Sequence, residues 1–257
     1  LDIQSGWQGG VLDIDGEVYE TDANNNENSL HSGVNGIAKK IWAVKEQTDK
    51  KIVFTYDAKD LEQGFPGNIH YEVTYELTEK NELAISYYAL SDKKTTINMT
   101  NHTYFNLAGA FSGSVEGQEL WIKASHYTPV KDGKAIPTGE IAPVDGTPFD
   151  FRKGKRIGQD KTELGIYDHN FMLNSEHAAT MVGDISGLKM EVYTDMPAIQ
   201  MYTGAGKEET RNVEKISDRG GVALEPQFAP NAINMEGFEK PILKANEEKR
   251  HYIRLEF

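Results

Sequence analysis

Four short segments of this chain gather polar and titratable side chains within apolar surroundings. They are Asn28-Ser29-Leu30-His31-Ser32-Gly33, Asn101-His102-Thr103-Tyr104-Phe105-Asn106, Tyr167-Asp168-His169-Asn170-Phe171 and Ala223-Leu224-Glu225-Pro226-Gln227. Glu225 follows Gly221-Val222-Ala223-Leu224, which reads as a buried strand. A carboxylate left unpaired in such a strand is costly, so it marks a functional position. Carboxylates and imidazoles are the groups that most often move protons in catalysis. Each also has a plain structural reading: His102 as a satisfied histidine in a strand-like run, Glu225 as a solvated charge, Asp168 as a turn cap. Gln200 can equally be an outward-facing strand residue. His169 reads as structural, and His70, His126, His177 and His251 carry no assignment.

The elements that must position these groups follow a period of two. Tyr71, Val73, Tyr75 and Leu77 alternate with polar partners, Glu79-Lys80-Asn81 turns the chain, and Leu83, Ile85 and Tyr87 resume the alternation, which predicts a hairpin. Val11–Ile14 and Glu17–Tyr19 flank Asp15-Gly16, a strong two-residue turn. Met181–Ile185 and Leu188–Tyr193 flank Ser186-Gly187 in the same way, and Tyr252, Ile253, Leu255 and Phe257 predict a closing strand. Helical periodicity is scarce: Glu208–Ile216 and Ile233–Leu243 have room for a turn or two. Strands punctuated by Gly, Asn, Asp and Pro imply a sandwich or barrel. With no internal repeat and no Pro-, Gly- or Ser-rich linker, residues 1–257 are expected to form one domain.

Composition narrows the function classes. A formal charge of −13, with no basic patch interleaved with aromatics, argues against nucleic acid and anionic membrane surfaces as partners. The absence of cysteine removes disulfides, thiolate metal sites and cysteine nucleophiles, and fits a reducing compartment. No apolar run approaches a bilayer-spanning length, and Leu1-Asp2-Ile3-Gln4-Ser5 lacks the features of a signal peptide. A cytoplasmic protein is expected. Tyr202-Thr203-Gly204-Ala205-Gly206-Lys207 fails as a phosphate loop, because Met201 and Glu208 stand where Gly and Ser or Thr are needed. Asp13-Ile14-Asp15-Gly16 is too short for a calcium loop. No histidine pair has metal-ligand spacing on a helix, so no metal is expected.

Taken together, the polar segments resemble the galactose mutarotase (aldose 1-epimerase) family. Asn101-His102-Thr103-Tyr104-Phe105-Asn106-Leu107 resembles its central block, and Leu30-His31-Ser32-Gly33, with Gly36 and Lys39-Lys40-Ile41-Trp42, its earlier His-Gly block. Tyr167-Asp168-His169-Asn170-Phe171 is similar to its Asp-His block. Ile199-Gln200-Met201-Tyr202-Thr203-Gly204 is similar to its Gln-x-Tyr-Thr-Gly strand, and Leu224-Glu225-Pro226-Gln227 to its Glu block. Five blocks in order are far more specific than any one.

The resemblance implies an all-β fold, a large antiparallel β-sandwich with a sugar cleft on one sheet, apparently short at the N-terminus. It implies interconversion of the α and β anomers of free hexoses, galactose or glucose, without a cofactor. Glu225 takes the base position and His102 the acid position. His31, Asp168 and Gln200 fall at sugar-binding positions, and Asn101 and Tyr104 belong to the same substrate-facing block. Ring opening needs the C1 hydroxyl deprotonated while the ring oxygen is protonated, which a carboxylate and an imidazolium can do together. A carboxylate near His102, Asp168 or Glu225, would favour the protonated ring. Tyr104, Phe228 and Trp42 are stacking candidates for the apolar sugar face.

The chain departs from the family in three places, one of them Ile37-Ala38 where Phe-Asp is more common. Gln4-Ser5-Gly6-Trp7 stands where an Asn-Arg block is usual, and no arginine precedes Arg152; Ser32 follows His31 where a second glycine is usual. Two other readings therefore stand beside an epimerase. One is a non-catalytic sugar-binding or regulatory protein on the same fold. The other is a glycoside hydrolase using Glu225 and Asp168 as its carboxylate pair. The expected partner is a small-molecule aldose, and the sequence leaves the oligomeric state open.

Overall fold

A computed structural model describes residues 2–3, 8–130, 136–204, 209–211 and 214–257. Two of the sequence features lie partly or wholly outside them: Gln4–Trp7, at the place of the Asn-Arg block, and Ala205-Gly206-Lys207 of the rejected phosphate loop. The secondary structure is strand with a few single 3-10 turns.

Nine strands form one antiparallel sheet in the order Lys155–Arg156, Glu119–Ile122, His177–Val182, Lys189–Thr194, Glu248–Glu256, Glu82–Ser91, Ile69–Leu77, Lys51–Ala58 and Ala43–Gln47. Six form a second: Tyr104–Phe105, Val222–Gln227, Ala198–Tyr202, Asp168–Leu173, Ala124–Thr128 and Ala142–Pro143. One apolar core joins them. The larger sheet contributes Tyr71, Val73, Ile85, Tyr87, Leu120, Ile122, Met181, Val192, Ile253 and Leu255; the smaller contributes Phe171, Ile199, Met201, Val222 and Leu224. Side chains alternate across a strand, so the residues between these inward positions face the other way. The expected all-β sandwich is what forms.

The predicted hairpins form with one adjustment. Ile69–Leu77 pairs with Glu82–Ser91, and Ile14 pairs with Glu17 around Asp15-Gly16. At Ser186-Gly187 the ladder closes earlier, at Val182 with Lys189, and a hydrogen bond from the Gly183 N–H to the Leu188 carbonyl leaves a wider loop. The terminal strand is longer than predicted, running from Glu248 to Glu256.

Among the described residues, the two segments with room for helical turns hold one such turn, at the start of the second. Glu209–Arg211 and Glu214–Ile216 pair as antiparallel strands, with Glu208, Asn212 and Val213 outside the described residues. Ala232–Asn234 is a single 3-10 turn, and Ile242–Leu243 is a strand paired with Thr95–Thr96. Pro241 explains the second case, since it lacks an N–H and cannot continue a helix. Among the described residues no helix is long and apolar enough to cross a membrane.

Two packing details bear on the site. Phe171 is fully buried on the core face of the strand whose opposite face carries Asp168 and Asn170, with the Phe149 and Phe151 rings 6.4 and 6.2 Å away. Gly221 precedes the Glu225 strand, and a Cβ there would lie 2.9 Å from Tyr104 Cβ, so this glycine admits the Tyr104–Phe105 strand to the sheet edge. Phe171→Ala is expected to cost about 3–5 kcal/mol, read as a lower urea midpoint at unchanged slope. Gly221→Ala is expected to cost about 1–3 kcal/mol through overpacking and, by displacing the segment that carries His102, to lower turnover more than it lowers the melting temperature.

Candidate active site

Three central strands of the smaller sheet set the floor of the site. Their register aligns Asn170 with Gln200 and Gln200 with Glu225. One step along, Asp168 aligns with Tyr202, Tyr202 with Ala223, and Ala223 with Tyr104 on the edge strand. Phe171, Ile199, Met201, Val222 and Leu224 take the core face, so these two rows share the opposite face. The same parity turns His169 inward, with its ring 4.4 Å from that of Phe149; burial lowers its pKa to about 4, which keeps it neutral. The structural reading of His169 agrees with this position.

Glu225 has no exposed surface, and its Oε1 lies 3.5 Å from Nε2 of His102. His102 reaches it from the turn before Tyr104–Phe105, with its side chain 20 % exposed. Of the two carboxylates proposed to face this imidazole, Glu225 is the one in direct range. The His102 ring packs 5.1 Å from Tyr104, 5.7 Å from His31 and 5.9 Å from Tyr202. Tyr104 is 49 % exposed, so it stands at the mouth while Glu225 sits at the bottom.

Asp168 accepts a 2.6 Å hydrogen bond from Gln200 Nε2. Burial raises the Asp168 pKa above the usual aspartate value, opposed by the Gln200 bond and by the charge of His31. Burial, followed by the Asp168 and Glu225 carboxylates, raises that of Tyr202. His31 comes from a separate loop in which His31, Ser32 and Gly33 have φ values of 52°, 59° and 88°. Consecutive left-handed residues are strained unless the surroundings hold them. Gly36 does so by close approach: a Cβ there would meet the His31 carbonyl oxygen at 2.3 Å. The unusual Ser32 thus occupies a conformation that glycine adopts at lower cost.

Glu225, His102, His31, Asp168, Gln200 and Tyr104 are therefore linked by register, hydrogen bonds and ring contacts. Asn101 turns elsewhere: its Nδ2 donates to the Tyr75 hydroxyl at 3.0 Å, and its Oδ1 accepts from the Thr103 N–H. It braces the His102 turn against the larger sheet. Two stacking candidates also lie elsewhere. Trp42 packs on Tyr56 and Tyr71, and Phe228 is buried beneath the Lys249 ammonium and beside His251. Sequence reasoning did not single out Tyr202 or Asn170. The signal was present, because each lies two residues from a chosen position, Gln200 or Asp168, and so on the same strand face. Among the described residues no group of three His, Cys, Asp or Glu side chains could hold a metal ion.

Comparison with known proteins agrees with this arrangement. The family profile described as aldose 1-epimerase matches residues 7–256. The chain is 39 % identical over 251 residues to galactose mutarotase of Sus scrofa, covering 94 % of this chain and 72 % of that protein. It is 37 % identical over 250 residues to aldose 1-epimerase of Escherichia coli K12, covering 91 % and 72 %. Among solved structures, an aldose epimerase homologue from C. elegans superimposes with a TM-score of 0.92 at 27 % identity, over 100 % of this chain and 80 % of that one. Galactose 1-epimerase from Lactobacillus acidophilus gives 0.85 at 28 %, over 100 % and 77 %. By a family match spanning nearly its whole length, and by the fold and site built above, this chain belongs to the aldose 1-epimerase family.

Proposed function

We propose that this chain interconverts the α and β anomers of free hexoses, with Glu225 as general base and His102 as general acid, in one domain spanning residues 1–257. The observation that carries the reading is a fully buried carboxylate 3.5 Å from an imidazole, on a sheet face shared with Asp168 and Gln200, in a member of this family. Glu225 takes the proton of the C1 hydroxyl as His102 delivers one to the ring oxygen. The C1–ring oxygen bond breaks, C1 becomes an aldehyde carbonyl, and rotation about C1–C2 presents its other face. Closure runs the same transfers backward, so both groups return to their starting protonation states and no cofactor is consumed.

The environments suit these tasks. Glu225 is fully buried, and the His102 imidazole lies beside it, within reach of the same substrate atoms. Asp168, with Gln200 holding it at 2.6 Å, presents acceptors to sugar hydroxyls, and His31 and Tyr104 line the same opening.

Two outcomes test this. In polarimetry of freshly dissolved α-D-glucose and α-D-galactose, the parent chain is expected to accelerate mutarotation. Glu225→Gln, which keeps the shape but removes the base, is expected to lower kcat by about 10²–10⁴-fold. A well-folded parent without acceleration, or a Glu225→Gln variant with full activity, would contradict the proposal.

The second outcome concerns Asp168, whose pKa burial raises from the ordinary 3.8. As pH falls, its carboxylate is lost sooner than that of a normal aspartate, so KM is expected to begin rising at a higher pH than an ordinary aspartate would give. Asp168→Asn should raise KM at neutral pH and flatten that limb. The stability sign is the reverse. A carboxyl with a raised folded-state pKa contributes most below the unfolded value and loses that contribution as pH rises through the folded value. Asp168→Asn should therefore be the more stable protein at pH 7 in urea unfolding, with the gap closing as pH is lowered toward 4.

A further inference from the structure

Asn170 lies on the strand that carries Asp168, in register with Gln200 and through it with Glu225. The three side chains are 1 %, 4 % and 0 % exposed. Gln200 spends its NH₂ group on Asp168, which leaves its Oε1 facing away from that bond, buried and without a hydrogen-bond donor. Asn170 turns its NH₂ along the strand to the Met172 sulfur at 3.5 Å, and its Oδ1 is likewise buried without a donor. Thioether sulfur is a weak acceptor, so little holds this amide except the shape of the site. A buried carbonyl with no donor is costly, and here two stand on neighbouring strands in one row.

We propose that Asn170 is a further substrate-reading residue, whose Oδ1, together with Oε1 of Gln200, accepts a hydrogen bond from one hydroxyl group of the aldose. The inference rests on the reading of this face as the sugar site. Carbonyl oxygens can only accept, and the Asp168 and Glu225 carboxylates beside them act as acceptors when ionised. This floor therefore recognises the O–H donors of a sugar rather than its oxygen lone pairs. It discriminates against a substrate with fluorine at the position read, because fluorine keeps the size of the hydroxyl but loses the donor. A site built to pair a hydroxyl rejects an analogue lacking it far more strongly than an apolar pocket rejects a change of size.

The test uses the full chain with glucose and galactose and their monodeoxyfluoro analogues at C2, C3, C4 and C6. Mutarotation is followed by polarimetry, and affinity by calorimetric titration. With the parent protein, one fluorinated position is expected to weaken binding about 10–100-fold, the equivalent of a lost hydrogen bond that leaves an acceptor unpaired. Asn170→Ala and the near-isosteric Asn170→Leu are expected to weaken binding of the unmodified sugar by a similar factor. Both should discriminate less against fluorine at that one position, where the Gln200 acceptor remains, while discriminating like the parent at the others. Comparing fluoro-to-parent ratios between proteins cancels the inductive effect of fluorine on the reaction itself.

The proposal is overturned if both variants, folded by circular dichroism, bind and turn over the sugars like the parent. It is also overturned if they lose the same factor with every analogue, as expected if Asn170 only holds a buried water or packs the strand. A parent active on both sugars but equally tolerant of fluorine everywhere would overturn it too, while leaving the epimerase reading intact. A parent that binds and turns over none of them would fail the epimerase reading instead.

Discussion

A carboxylate with no exposed surface is held in a folded protein only if positive or hydrogen-bonding groups come to it, and His102 is one that comes to Glu225. Much of the local architecture serves that approach. Asn101 braces the turn against Tyr75, Gly221 lets the edge strand close up, and Tyr104, Tyr202 and His31 pack around the imidazole ring. The larger sheet enters the same arrangement at one remove: its inner face supplies the apolar layer against which the Glu225 strand seats Val222 and Leu224. Burial of those two residues fixes the register, because a one-residue slip would exchange Glu225 with a core position.

The period-two patterns were enough to read most of this. Tyr71, Val73 and Tyr75 alternated as a strand with one buried face, and the Asp15-Gly16 turn closed its hairpin. Glu225 was legible for a physical reason, since an apolar approach of four residues places the carboxylate where it is costly. What alternation could not give was which strands become neighbours. Nothing in the local pattern aligns Asn170 with Gln200 across 30 residues of chain, so Asn170 passed as part of a motif rather than as a side chain on the site floor. Asn101 is also bound within the protein, its Nδ2 donating to the Tyr75 hydroxyl and its Oδ1 accepting from the Thr103 N–H, which its residue type alone did not give. The two short polar segments with room for helix became strand pairs and a single turn, because isolated helices of that length have little intrinsic stability and neighbouring strands supply better partners.

Polarity within the site is divided by depth. The floor consists of the acceptors of Gln200 and Asn170 with the Asp168 and Glu225 carboxyls, while the imidazoles of His31 and His102 and the phenol of Tyr104 form the wall. A sugar hydroxyl is both donor and acceptor, so the same ring can give hydrogen bonds downward and accept them from the side. The division also separates the titrating groups. Asp168 is pushed toward its neutral form by burial, and His169, on the other face of the same strand, is pushed toward its own neutral form by the core.

The edge strand Tyr104–Phe105 has only two residues, paired with Ala223 and Val222, whereas Glu225 lies on an inner strand paired along its length with Ala198–Tyr202. Short edge ladders open at lower free energy than central ones. His102, the proposed proton donor, thus precedes a short edge strand, and Glu225, the proposed acceptor, lies on an inner one. An open-chain sugar must swing its aldehyde end through half a turn before it recloses. A short edge ladder on one side and an inner strand on the other place the two ends of that swing against elements of unequal local stability.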